Sequence, residues 1–133
     1  MLMNKVRVFV FAVSATVLAG CASTEKDMAE LRANPQGELA ETVMILTLPD
    51  GEDIPVNYVR EDQMVYTGAD GFWWRQLRGE GARVGVFIKG DDLSGIGRAV
   101  EEDKERAKEI LQKVRPGYEW LSPAVPIEIK LDE

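Results

Sequence analysis

From Thr42 onward the sequence alternates short runs of β-forming residues with turn residues, and this rhythm limits the chain to a small antiparallel architecture. TVMILTL is rich in β-formers, PDGED carries an Asp50-Gly51 hairpin signal, and IPVNYVR follows with Val56 and Tyr58 alternating against Asn57. A turn at Glu61-Asp62 leads into QMVYTG. RVGVFIKG then places Val84, Val86 and Ile88 on one face and Arg83, Gly85, Phe87 and Lys89 on the other. Asp91-Asp92 reads as a solvated turn before LSGIGRAV, whose glycines suit a bulge or a close backbone approach. PIEIKL supplies a last alternating run.

EEDKERAKEILQKVR reads as a helix. Ala107, Ile110, Leu111 and Val114 form its apolar stripe, Glu102–Arg106 and Glu109–Lys113 are spaced as i,i+4 pairs, and Pro116-Gly117 stops it. The acidic residues Glu101 to Glu105 suit the positive end of its dipole. Six mostly antiparallel strands, one short helix and one longer helix predict the α+β class and a small, partly closed barrel over residues 42–133.

The segment ADGFWWRQLRG, at 69–79, holds two of the chain's three tryptophans. Asp70 is placed to cap a short helix, in which Trp73 and Leu77 would share a face and the two tryptophans would diverge by about 100°. One tryptophan then plugs the open end of the barrel, and the other lies at the rim under an arginine stem. The alternative is a platform for a planar anionic ligand, built from Trp73, Trp74, Arg75 and Arg78 with Tyr58 and Tyr66 nearby. Arg75, Arg78 and Arg83 are the one local positive cluster. In so acidic a chain such arginines usually pair with carboxylates.

The chain opens with Lys5 and Arg7, an almost uncharged apolar run from Val8 to Leu18, and then Ala19, Gly20 and Cys21. That order is a secretory signal, and the run is too short for an ordinary spanning helix. Leu18-Ala19-Gly20-Cys21 resembles the lipobox of bacterial lipoproteins. The resemblance implies cleavage after residue 20, acylation of Cys21 and membrane attachment through the N-terminus. Ala22 at the next position implies the outer membrane, facing the periplasm. The expected division is therefore signal 1–20, lipidated tether 21–41 with a short helix in TEKDMAELRAN, and barrel 42–133.

Without the signal the chain keeps 14 basic against 23 acidic residues, a net charge of about −9. Such a surface repels phosphate backbones and anionic headgroups, which argues against nucleic acid and against membrane contact beyond the anchor. There is no histidine, and the one cysteine is taken by the lipid. Disulfides, histidine- or thiol-based triads and the common zinc ligand sets are excluded.

The order of elements, with Pro55-Val56-Asn57-Tyr58, the strand ending at Gly71 and Trp73-Trp74-Arg75-Gln76-Leu77, resembles the deazaflavin-dependent nitroreductases within the pyridoxamine phosphate oxidase-like flavin-binding barrels. The resemblance implies FMN or deazaflavin as the cofactor class, an oxidoreductase activity and a homodimer. Three departures bear on that activity. Gln76 stands where the family has asparagine, Thr67–Gly71 replaces a glycine-rich segment, and Leu48–Asp53 is acidic where the family's turn is basic. The readings left open are a small planar-ligand binder with a rebuilt site and a non-catalytic envelope lipoprotein acting through protein or self association.

Overall fold

The computed structural model describes residues 19–117 and 124–133, with side chains from residue 24. The expected signal peptide lies almost wholly outside the described residues, as does Trp120. The elements run α1 (Ala19–Ala33), a 3₁₀ turn (Leu39–Glu41), β1 (Val43–Thr47), β2 (Asp53–Asn57), β3 (Val59–Glu61), β4 (Met64–Ala69), a 3₁₀ helix (Phe72–Leu77), β5 (Ala82–Ile88), β6 (Asp91–Ala99), α2 (Lys104–Val114) and β7 (Val125–Leu131). Among the described residues no helix is long and apolar enough to cross a membrane.

The strands form one antiparallel sheet in the order β2-β1-β5-β6-β7-β4-β3. Its two edge strands, β2 and β3, are separated in sequence by Tyr58 alone. The sheet must therefore curl until its ends meet, which is a barrel with a split at one residue. The Thr67 hydroxyl, on β4 and fully buried, donates to the Asn57 carbonyl at 2.6 Å and ties the seam. Seven strands form rather than the six expected, because IPVNYVR breaks at Tyr58. The Tyr58 backbone N–H turns back to the Thr42 carbonyl at 3.0 Å, and its hydroxyl donates to the Ala40 carbonyl at 2.8 Å. These bonds leave the two halves of the run to different partners.

Alternation sorts the side chains into two layers. Inside the barrel lie Met44, Leu46, Val65, Leu77, Val84, Val86, Ile88, Ile127 and Ile129. Outside, α1 covers β1, with Leu31 and Ala40 buried on Ile45, and α2 covers β4, with Ala107 and Ile110 on Tyr66. The expectation of residues 21–41 as a plain tether is corrected in part. Leu31 is 2% exposed, and Arg32 pairs with Asp53 at 3.3 Å, so the second half of α1 belongs to the domain. Its weak apolar spacing hid this, since only Met28 and Leu31 face the sheet.

One turn, one glycine and one helix cap explain the local chain path. Lys89 and Gly90, both at positive φ (50° and 91°), form the two-residue β5–β6 turn, so Asp91 and Asp92 open β6 instead of forming the turn themselves. A Cβ on Gly95 would sit 2.2 Å from the Lys130 carbonyl oxygen and 2.8 Å from the Leu131 Cα, so β6 and β7 approach there as closely as only glycine permits. In α2, Asp103 is the N-cap and accepts from the Arg106 N–H at 3.0 Å. The expected pairing of Arg106 with Glu102 and of Lys113 with Glu109 is replaced by Arg106–Glu109 (3.0 Å) and Lys113–Glu61 (2.9 Å). Lys113 thus fastens the helix to β3.

Candidate functional site

The FWWRQL segment forms a 3₁₀ helix whose N-cap is Gly71, without a side-chain cap. Asp70 is turned away, accepting two hydrogen bonds from Arg115 at 2.9 and 2.6 Å, and that arginine holds its carboxyl below the ordinary aspartate range. The expectations that Asp70 caps the helix and that Trp73 and Leu77 share a face are corrected. With three residues per turn, side chains at i and i+3 eclipse, so Phe72 aligns with Arg75 and Trp74 with Leu77. The Arg75 guanidinium accordingly lies 4.7 Å from the Phe72 ring centre. Leu77 is fully buried, which anchors the helix on the barrel core.

Above that anchor stands a ridge. Arg75 lies 5.8 Å and Arg78 4.6 Å from the Trp74 ring centre, and Phe72 is 74% exposed. Arg78 pairs with Glu101 at 3.4 Å and Arg83 with Asp132 at 2.7 Å, whereas Arg75 forms no ion pair among the described residues. At Trp74 it is the arginine guanidinium groups that lie over the ring. Trp73 and Trp74 are both half-buried and pack against the inner core.

The helix is held from the other side by a pairing that the sequence did not announce. The Asp50 N–H donates to Gln76 Oε1, and Gln76 Nε2 donates to Asp50 Oδ2, each at 3.2 Å. Two of the three departures from the nitroreductase-like pattern, the acidic turn and the glutamine, are thus partners in one clamp.

The six residues expected to form one platform are dispersed. Trp73 lines a groove of about 410 Å³ with Val56, Asp70, Gly71 and Arg115. Tyr58 lines a larger one of about 1170 Å³ with Glu41, Arg60, Lys89, Asp91 and Lys113. Tyr66 is buried beneath α2, where Arg106 stacks on it at 5.5 Å and donates to its hydroxyl at 3.3 Å. Only Trp74, Arg75 and Arg78 stay together, and they line neither groove. Burial pushes the Tyr58 hydroxyl above the ordinary tyrosine range, so it stays protonated at neutral pH.

A phosphate-bearing flavin needs cations that are free to meet its charge. In the larger groove Lys89 is held by Glu41 at 3.0 Å and Lys113 by Glu61 at 2.9 Å. Arg60 is engaged by the Asp62 carbonyl at 2.9 Å and by Gln63. The two lysines are raised above their ordinary range, chiefly by those carboxylates. In the smaller groove Arg115 is bidentate on Asp70, and Asp27 adds a second carboxylate. These residues do not fit a flavin phosphate. Among the described residues no three histidine, cysteine, aspartate or glutamate side chains are grouped to hold a metal ion.

No protein-family model matches the chain, and no curated protein resembles it closely enough to count as a relative. Solved structures do resemble it. A Listeria innocua protein provisionally assigned as a pyridoxamine 5′-phosphate oxidase superposes with a TM-score of 0.52 at 17% identity, over 82% of this chain and 93% of that one. The fold is a split β-barrel of the pyridoxamine phosphate oxidase type. A Bacteroides thetaiotaomicron protein provisionally assigned to 5-nitroimidazole antibiotic resistance scores 0.48 at 11% identity, covering 71% of this chain and 76% of its own. A Mesorhizobium loti FAD-binding protein scores 0.45 at 19% identity, with coverages of 81% and 87%. At those scores the last two add nothing to the fold assignment.

Proposed function

We propose that this chain is a lipid-anchored envelope protein, acylated at Cys21 and facing the periplasm from the outer membrane, whose split barrel works by association and not by hydride transfer. The observation that carries the second half is the state of the cations. Those lining the two larger grooves are already bonded within the chain, and the turn that would meet a phosphate is acidic and clamped on Gln76. A Sec-type route also exports unfolded chains, without a flavin made in the cytoplasm. The larger groove suits a polypeptide, because the half-buried Val59 and Val114 give it apolar surface inside a rim of alternating charge.

The test is spectroscopic. The purified protein is expected to be colourless and to keep its tryptophan emission unchanged through a titration with FMN or deazaflavin to high micromolar ligand. Saturable quenching would overturn the reading and restore a flavin- or deazaflavin-dependent oxidoreductase. For the anchor, Cys21→Ser is expected to release the protein from membranes, and retention would contradict acylation. Self-association is separable from a foreign partner: a concentration-dependent dimer that Val59→Arg abolishes would place a second copy in the groove.

One observation favours a second reading, a small planar anion. Trp73 and Arg115 line the same groove, and an anion stacked on that ring would have to displace Asp70 from the arginine. Asp70→Asn would then raise affinity for a planar carboxylate, whereas under the association reading it changes no ligand binding.

A further inference from the structure

Resting on the reading of Cys21 as the acylated residue, we propose that the Phe72–Arg78 ridge is a membrane-contact element that seats the barrel on the bilayer carrying its own anchor. The argument starts from where α1 begins. Thr24 and Asp27, in its first half, line the same groove as Gly71 and Trp73. Cys21 lies three residues before Thr24 on that helix, about 4.5 Å along its axis. A lipid attached there brings the bilayer to the end of the barrel closed by the 3₁₀ helix.

The ridge presents the chemistry that such a surface takes. Phe72 is 74% exposed, well beyond Ile96 at 39%, the other exposed large apolar side chain among the described residues, and it follows Gly71, which lines that groove. Arg75 stacks on Phe72 and Trp74 with its guanidinium free of any carboxylate among the described residues, and so can meet a headgroup phosphate. An aromatic body with a cationic tip is the composition that settles at the boundary between headgroups and acyl chains. Net charge argued against membrane contact, but that argument concerns the average surface. Here Glu101 offsets Arg78, and one carboxylate, Asp50 bonded to Gln76, stands against one uncompensated cation, Arg75, so the ridge carries little net charge and the contact needs no long-range attraction. Because the anchor holds the ridge at high effective concentration, a weak contact is enough to orient the domain.

The single cysteine makes the test clean. In the full, acylated chain Cys21 is blocked, so Phe72→Cys and, as a reference on the outer face of β6, Ile96→Cys each offer one free thiol for a nitroxide label. Both positions are exposed, and neither change threatens the core. Each protein is reconstituted into vesicles of phosphatidylethanolamine and phosphatidylglycerol, checked by flotation, and read by electron paramagnetic resonance with a water-soluble nickel chelate. The label at 72 is expected to be severalfold less accessible to nickel than the label at 96, and adding Arg75→Glu is expected to restore its access. Protein that floats with equal accessibility at the two positions overturns the membrane contact while leaving the anchor intact. Protein that does not float refutes the anchor and the proposal together. Shielding at 72 that persists in detergent, with twice the monomer mass by light scattering, would assign the ridge to a second copy and overturn the proposal.

Discussion

Among the described residues, two places have one aromatic ring with two cations beside it. At Tyr66 the cations are Arg106 and Lys113, with centres 5.5 and 5.8 Å from the ring, and at Trp74 they are Arg75 and Arg78, at 5.8 and 4.6 Å. The side chains are alike, but their surroundings differ. Tyr66 is 5% exposed between β4 and α2, and its cations continue onto Glu109, Glu128 and Glu61. Every charge in that group has a partner, and the group latches a helix to the sheet. At Trp74 the ring is half-buried, Phe72 stands out in solvent, and Arg75 ends on rings alone. Burial and carboxylate pairing, and not composition, separate a structural latch from a surface left available.

Substitutions should separate the two groups by size of effect. Tyr66→Ala should cost the most, about 3 kcal/mol, since it opens a cavity under α2 and leaves Arg106 without its hydroxyl partner; urea unfolding would measure it. Trp74→Ala, at a half-buried ring, should lose about 1.5 kcal/mol in the same assay. A loss equal to that of Tyr66→Ala would erase the distinction. Glu128→Gln keeps the side chain's shape but removes the charge shared by Arg98 (2.6 Å) and Arg106 (3.6 Å), and should cost about 1 kcal/mol.

The two ends of the pH scale sharpen the comparison further. Beside the ridge, Asp70 has its pKa lowered from 3.8 by Arg115, so its contribution is present above that value and fades as pH falls through the depressed one. Arg115→Ala should therefore flatten the acid limb of a stability profile while leaving the alkaline limb unchanged. Beside the latch, Lys113 is raised from 10.5 by Glu61, so its contribution is complete below that value and is lost as pH climbs through the raised one. Glu61→Gln should affect only the alkaline limb. If either variant altered the opposite limb, the assignment of these pairs would fail.

Strand faces and the α2 stripe were legible in the sequence because period-two and period-3.6 patterns are local. Val84, Val86 and Ile88 point inward, and Ala107, Ile110 and Leu111 are buried as their spacing implies. The split at Tyr58 was not legible, because it depends on which strands become the sheet's edges, a long-range outcome. Nor was the docking of α1, where Leu31 alone is deeply buried. In the candidate site the arginine over Trp74 could be anticipated, but the 3₁₀ winding could not. The segment is only six residues long, its N-cap carries no side-chain bond, and its ties, Leu77 to the core and Gln76 to Asp50, both lie in its last two residues, which suits a short 3₁₀ turn. Tyr58 and Tyr66 look like neighbours of the tryptophans in sequence, yet the seam places them with other partners.

The smallest expected effect is also the most direct test of the contrast between latch and ridge. The double variant Phe72→Ala/Arg75→Ala should keep an unfolding free energy within about 0.5 kcal/mol of the parent, as exposed groups without buried partners do. A loss of several kcal/mol would show that the ridge holds the fold together as Tyr66 does, and would contradict its description as a surface left free to bind.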